Sequence, residues 1–178
     1  MKKSLFILLG LLTSVTMMAG VVDYEKDGVT CQYNTDTGTL MKGPTTSATT
    51  VVVPDTIDVG GQKYPITIIG KDAFKNNKDI LEVVISEGIT TIGESAFNGC
   101  DKLKKITLPS SLGKINNYAF QNCIHLVHIS CRVKDPATLN PANLPANEMM
   151  TLYVPKDKRQ LYIEDYVWST QFIRIVRG

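Results

Sequence analysis

The sequence predicts a mostly β chain of the α+β class, built as a solenoid. Its core is a parallel strand ladder. An N-terminal β-cap with a hairpin closes one end, and a C-terminal helix–strand cap closes the other. Three observations lead there: a repeated 23-residue pattern, a short strand signal in every copy, and flanks that keep the strand phase while losing the rest of the pattern.

The pattern is carried by side chains of fixed type. Ala73-Phe74, Ala96-Phe97 and Ala119-Phe120 recur every 23 residues. Ile69, Ile92 and Ile115 precede each Phe by five positions, and Gly70, Gly93 and Asn116 follow those isoleucines. Asn77, Cys100 and Cys123 lie three residues after the Phe, and Ile80, Leu103 and Leu126 lie six after it. Val83-Val84-Ile85, Ile106-Thr107-Leu108 and Ile129-Ser130-Cys131 then share one phase.

Each copy has two physical parts. Lys105 to Leu108 alternates polar and apolar, as a half-buried strand does, and Pro109 ends it because proline offers no amide hydrogen to a ladder. Ile115 to Asn122 suits a turn or irregular helical segment with one apolar side. A unit of this size cannot bury its own apolar face, whereas stacked units bury one another's. Successive strands should therefore pair in parallel, with the Phe residues forming a continuous column.

The boundaries follow in order. Lys2 and Lys3, the apolar run Leu5 to Leu12 and the small residues Ala19 and Gly20 read as a secretory signal peptide over residues 1–20. The alternative, a membrane anchor, needs about 20 apolar residues, and Ser4, Thr13, Ser14 and Thr16 dilute the stretch. After cleavage no transmembrane segment is expected. Residues 21–67 form the N-terminal β-cap. Within it Val29 to Tyr33 reads as a strand and Asn34 to Gly38 as a turn. Gly60-Gly61 joins Thr56–Val59 to Tyr64–Thr67 as an inserted hairpin. Residues 68–131 hold the repeats. Residues 132–178 begin with a loop containing Pro136, Pro141 and Pro145. The strand Leu152-Tyr153-Val154 follows one period after Ile129-Ser130-Cys131. A short helix over 156–168 turns Leu161, Val167 and Trp168 inward, and a last strand spans 172–176. Residues 21–178 are one continuous domain.

Ile92-Gly93-Glu94-Ser95-Ala96-Phe97, Cys100-Asp101-Lys102-Leu103 and Ile106-Thr107-Leu108-Pro109 resemble the BspA-like, or Treponema pallidum-type, leucine-rich repeats of exported microbial proteins. Leu152-Tyr153-Val154-Pro155-Lys156, with Trp168 and Phe172 behind it, is similar to the closing segment of such proteins. The resemblance runs from about Thr50 to the end. It implies a cell-surface binding role, in adhesion to host proteins or contact between bacteria.

Composition narrows the function further. The apolar fraction of 43% is that of a folded protein. Losing Lys2 and Lys3 from 19 basic residues leaves 17 against 17 acidic ones, and a nucleic-acid binder would carry a basic excess. The expected binding surface is the side of the strand ladder away from the core: Val52, Val84, Thr107, Ser130 and Tyr153 between the inward pairs, with Glu82, Lys105 and His128 beside them. An exposed aromatic is a common interface anchor, while the same residues also serve as cross-strand pairs of the sheet itself. The expected partner is a host matrix or bacterial surface protein, with a glycan as a further class. The alternative function is a structural, self-associating envelope protein without a host ligand.

No cofactor or metal is expected. Cys100 and Cys123 share a repeat position with Asn77, and Cys131 stands where Ile85 and Leu108 do, which favours buried free thiols. A Cys100–Cys123 disulfide remains the alternative, since stacked neighbours fall near bridging distance. His125 and His128 border a strand, where their spacing puts them on opposite faces. No Ser, Cys or Thr has a nucleophile setting and the carboxylates are scattered, so no enzyme is expected.

Overall fold

The structure, a computed structural model, describes residues 16–18, 20–26, 29–44, 47–145 and 149–178. The described residues begin with an antiparallel meander of β1 (Thr16–Met18), β2 (Val21–Lys26), β3 (Val29–Asn34) and β4 (Thr39–Lys42). β1 falls inside the expected leader and pairs Met17 with Val22. Residues 1–15 and 19 of that leader lie outside the described residues. β5 (Thr50–Val53) follows. The hairpin of β6 (Thr56–Val59) and β7 (Gln62–Pro65) comes next. Gly60 and Gly61 have φ of 64° and 85°, the left-handed pair that a two-residue hairpin turn needs. This tight turn sets Gln62 opposite Val59, so the second strand starts two residues before the expected Tyr64 and stops at Pro65.

The repeats contribute β8 (Ile68–Ile69), β9 (Glu82–Ile85), β10 (Thr91–Ile92), β11 (Lys105–Leu108), β12 (Lys114–Ile115) and β13 (His128–Cys131). β14 (Thr151–Val154), α1 (Arg159–Glu164), α2 (Tyr166–Gln171) and β15 (Arg174–Arg177) complete the chain. Two parallel ladders result. One has six strands in the order β15-β14-β13-β11-β9-β5. In the other, β4, β8, β10 and β12 pair in parallel and the meander extends it to seven strands. This second ladder was not anticipated, because two-residue strands leave no alternation to read.

Between the ladders the apolar side chains of each repeat meet. Phe97 lies between Phe74 and Phe120, with ring centroids 4.7 and 5.2 Å apart and planes within 9° and 3° of parallel. The turns that carry these rings are stacked by main-chain bonds as well. Asp72, Phe74 and Asn76 donate to the carbonyls of Glu94, Ala96 and Asn98; Ser95, Phe97 and Gly99 donate to those of Asn117, Ala119 and Gln121. Every second amide thus points to the next repeat. The geometry needs left-handed residues at Asp72, Ser95 and Tyr118, and again at Asn76, Gly99 and Asn122. Gly93 is required for closeness instead: a Cβ there would stand 2.6 Å from the carbonyl carbon of Gly70.

The last segment departs from expectation in detail. The proline-rich loop holds two 3-10 turns, Pro136–Thr138 and Pro141–Asn143, whose first amides are capped by Asp135 and Asn140. The single helix expected over 156–168 is two. Asp165 ends α1 and caps α2, its carboxylate accepting from the amides of Val167 and Trp168. The break turns Tyr162 and Trp168 inward, both 0% exposed, while Leu161 and Val167 stay 44% and 47% exposed. Leu161 and Val167 are thus surface residues, contrary to expectation. Tyr162 donates to the carbonyl of Val133 at 2.6 Å, and Trp168 Nε1 donates to that of Pro136 at 3.0 Å. The final strand starts at Arg174, and Phe172 packs on Trp168 before it. Among the described residues no helix is long and apolar enough to cross a membrane.

Candidate surface on the six-strand ladder

Strand alternation decides which side chains the ladder presents. Val51, Val53, Val83, Ile85, Ile106, Leu108, Ile129, Cys131, Leu152, Val154 and Ile175 are buried. The residues between them point the other way. The register places these in two columns across the six strands. One runs Thr50, Glu82, Lys105, His128, Thr151, Arg174; the other runs Val52, Val84, Thr107, Ser130, Tyr153, Val176.

All eight residues selected from the sequence lie in these columns, and their environments differ. Lys105 Nζ stands 2.9 Å from Glu82 Oε1, a half-exposed pair. The ring of His128 lies on that of Tyr153, centroids 4.0 Å apart and 19° from parallel. Burial lowers the His128 pKa, the Lys105 charge lowers it further, and Glu82 opposes both. The imidazole is therefore kept neutral to lower pH than a free histidine. Ser130 and Val84 are half-buried. Thr107, between Val84 and Ser130 in its column, is only 7% exposed and is the least accessible of the set. At the ladder's edge Val52 is 60% exposed.

Thr151, Arg174 and Val176 extend the same columns and were not selected from the sequence. A signal for them existed: Arg174 stands one further 23-residue step beyond Thr151, as Thr151 does beyond His128.

The other singled-out residues sit elsewhere. Cys31, Cys100, Cys123 and Cys131 are buried and unbridged. Cys100 and Cys123 approach the carbonyls of Phe74 and Phe97, at 3.0 and 3.1 Å. Cys131 faces the Tyr162 hydroxyl. Burial pushes the thiol of Cys100 up to about 11 and that of Cys123 up to about 12. His125 is exposed, with Nδ1 2.5 Å from the Asp101 carbonyl, away from the His128–Tyr153 stack. Among the described residues no three His, Cys, Asp or Glu side chains converge as metal ligands.

Similarity to known proteins agrees with this architecture. Residues 63–141 match the family described as "BspA type Leucine rich repeat region (6 copies)". A leucine-rich repeat protein from Bacteroides capillosus is 26% identical, with a TM-score of 0.55 over 79% of this chain and 97% of that one. A leucine rich cell surface protein from Faecalibacterium prausnitzii is 23% identical, with a TM-score of 0.51 over 87% of this chain and 42% of its own. The likeness to the second protein is one of fold alone. No curated protein sequence matches the chain. The 23-residue repeat, the parallel ladders and these matches together identify residues 63–141 as a leucine-rich-repeat region of the BspA type.

Proposed function

We propose that the chain is an exported, capped solenoid that binds a protein partner at the cell surface, in adhesion, through the outer side of its six-strand ladder. The meander and the helix pair α1–α2 act as its caps. The carrying observation is the His128–Tyr153 stack beside the Lys105–Glu82 pair. An aromatic held by a neighbouring ring has already lost much of its freedom, so binding costs it less entropy. Fixed aromatic and charged groups at the centre of a face are the usual anchors of an interface. The function is non-enzymatic: these polar side chains are engaged with each other along the ladder rather than arranged as nucleophile and base.

The test is a binding screen of the chain against immobilised extracellular-matrix and bacterial surface proteins. A variant with Tyr153→Ala and Lys105→Ala runs in parallel. The expected result is saturable binding weakened about tenfold or more in the variant, with unchanged circular dichroism. Equal binding by the folded variant places the site off the ladder. No binding, with concentration-dependent oligomers in sedimentation, supports a self-associating envelope protein instead.

A further inference from the structure

Among the described residues the stack of turns ends without a partner. Each turn hands three amides to the carbonyls of the next, but Tyr118, Phe120 and Asn122, which hold those positions in the last copy, meet no acceptor among the described residues. Where the next turn would lie, there is a groove of about 560 Å³. Tyr118, Phe120 and Ile124 form one wall, and Ala142, Leu144 and Pro145 form the other. Tyr118 and Ile124 are 58% and 68% exposed, large apolar surfaces flanking the amides. The proline-rich loop spans the groove without filling it. It is held off by Asn143, which donates to the carbonyl of Ile115 at 2.8 Å, and by Gln171, which donates to that of Leu144 at 2.9 Å.

At the opposite end of the stack the middle acceptor is already taken. Gly43 donates to the carbonyl of Ala73 at 2.6 Å, and its Cα lies so near Phe74 that an added Cβ would be 2.3 Å from the ring. The first turn of a second copy therefore cannot offer all three of its carbonyls, since that of Ala73 is bonded and Phe74 is covered by Gly43. Three donors on alternate residues require three acceptors on alternate residues, which a peptide segment supplies, as Asn117, Ala119 and Gln121 do for the turn above, and a small compact ligand does not.

We propose that this groove is a second docking site, separate from the strand ladder, for a turn-forming peptide segment of another protein. The segment adds its carbonyls to the amides of Tyr118, Phe120 and Asn122, as the turn of a further repeat would. Its apolar side chains cover Tyr118 and Ile124.

The probe is a synthetic acetylated, amidated peptide of residues 114–124 carrying Cys123→Ser. It contains the carbonyls of Asn117, Ala119 and Gln121 that the fold already uses for this pairing. In the free full chain, amide exchange followed by NMR should be fast at Tyr118, Phe120 and Asn122 and slow at Ser95, Phe97 and Gly99. Saturating peptide should slow the first three about tenfold. Ala142→Arg, at an exposed position in the groove wall, should weaken peptide binding about tenfold, and Ile124→Arg should do the same if the first variant misfolds. Tyr153→Ala should leave peptide binding unchanged, which separates this site from the ladder. Absence of saturable binding overturns the proposal. So does binding without protection of the three amides, or binding that both folded arginine variants retain.

Discussion

Replacing Phe97 by alanine tests the stack at its most connected point. The ring is 0% exposed and touches an aromatic ring on each side, at 4.7 and 5.2 Å. Removing a buried Phe side chain costs about 3–5 kcal/mol through lost transfer energy and the cavity left behind. Each aromatic pair adds roughly 0.5–1.5 kcal/mol beyond burial. Phe97 loses two such pairs, whereas Phe120, at the end of the column, loses one. Phe97→Ala should thus lie at the upper end of the range and exceed Phe120→Ala by about 0.5–1.5 kcal/mol. Neighbouring rings cannot collapse into the gap, because their turns are held at the repeat spacing by the main-chain bonds between them. Urea unfolding of both variants, followed by circular dichroism, measures the difference. A Phe97→Ala cost below about 1 kcal/mol, or one smaller than that of Phe120→Ala, would refute the claim that the column is a structural spine.

Other outcomes follow from single contacts. Gly93→Ala should destabilise by about 1–3 kcal/mol in the same assay, since its Cβ meets the Gly70 backbone; Gly113→Ala, with nothing within 4 Å, should change stability by less than about 0.5 kcal/mol. Tyr162→Phe should cost about 1–3 kcal/mol, because the buried Val133 carbonyl loses its donor; thermal unfolding checks this. The buried thiols give a pH signature. Cys100 and Cys123 keep their protons in the folded state up to about 11 and about 12, against an ordinary thiol value of 9.0. The unfolded chain sheds its protons first as pH rises, so this stabilisation is complete below pH 9.0 and is lost between there and those higher values. Unfolding free energy measured from pH 8 to pH 11 should fall, and fall less in Cys123→Ala. At about pH 8 a thiol reagent should leave the folded chain's buried cysteines unreacted until urea is added.

Sequence by itself determined the strand phase, the Phe column and the turn at Gly60-Gly61. Each is encoded locally: alternation sets the buried face of a strand, the 23-residue period aligns copies, and paired glycines accept left-handed angles. The same period reached Arg174, so the sixth strand of the candidate surface was legible as well. Tertiary structure alone decided the rest. The ladder of β8, β10 and β12 exists only because stacked repeats bring two-residue segments side by side. Asp165 became a helix break once its carboxylate capped α2, which exchanged Leu161 and Val167 for Tyr162 at the core. Thr107 points outward by phase, yet it is covered by the surface of the assembled sheet. The amides of Tyr118, Phe120 and Asn122 are chemically the same as those of Ser95, Phe97 and Gly99. Whether such an amide is satisfied depends on what stacks beneath it, and that is a property of the assembled chain rather than of its local sequence.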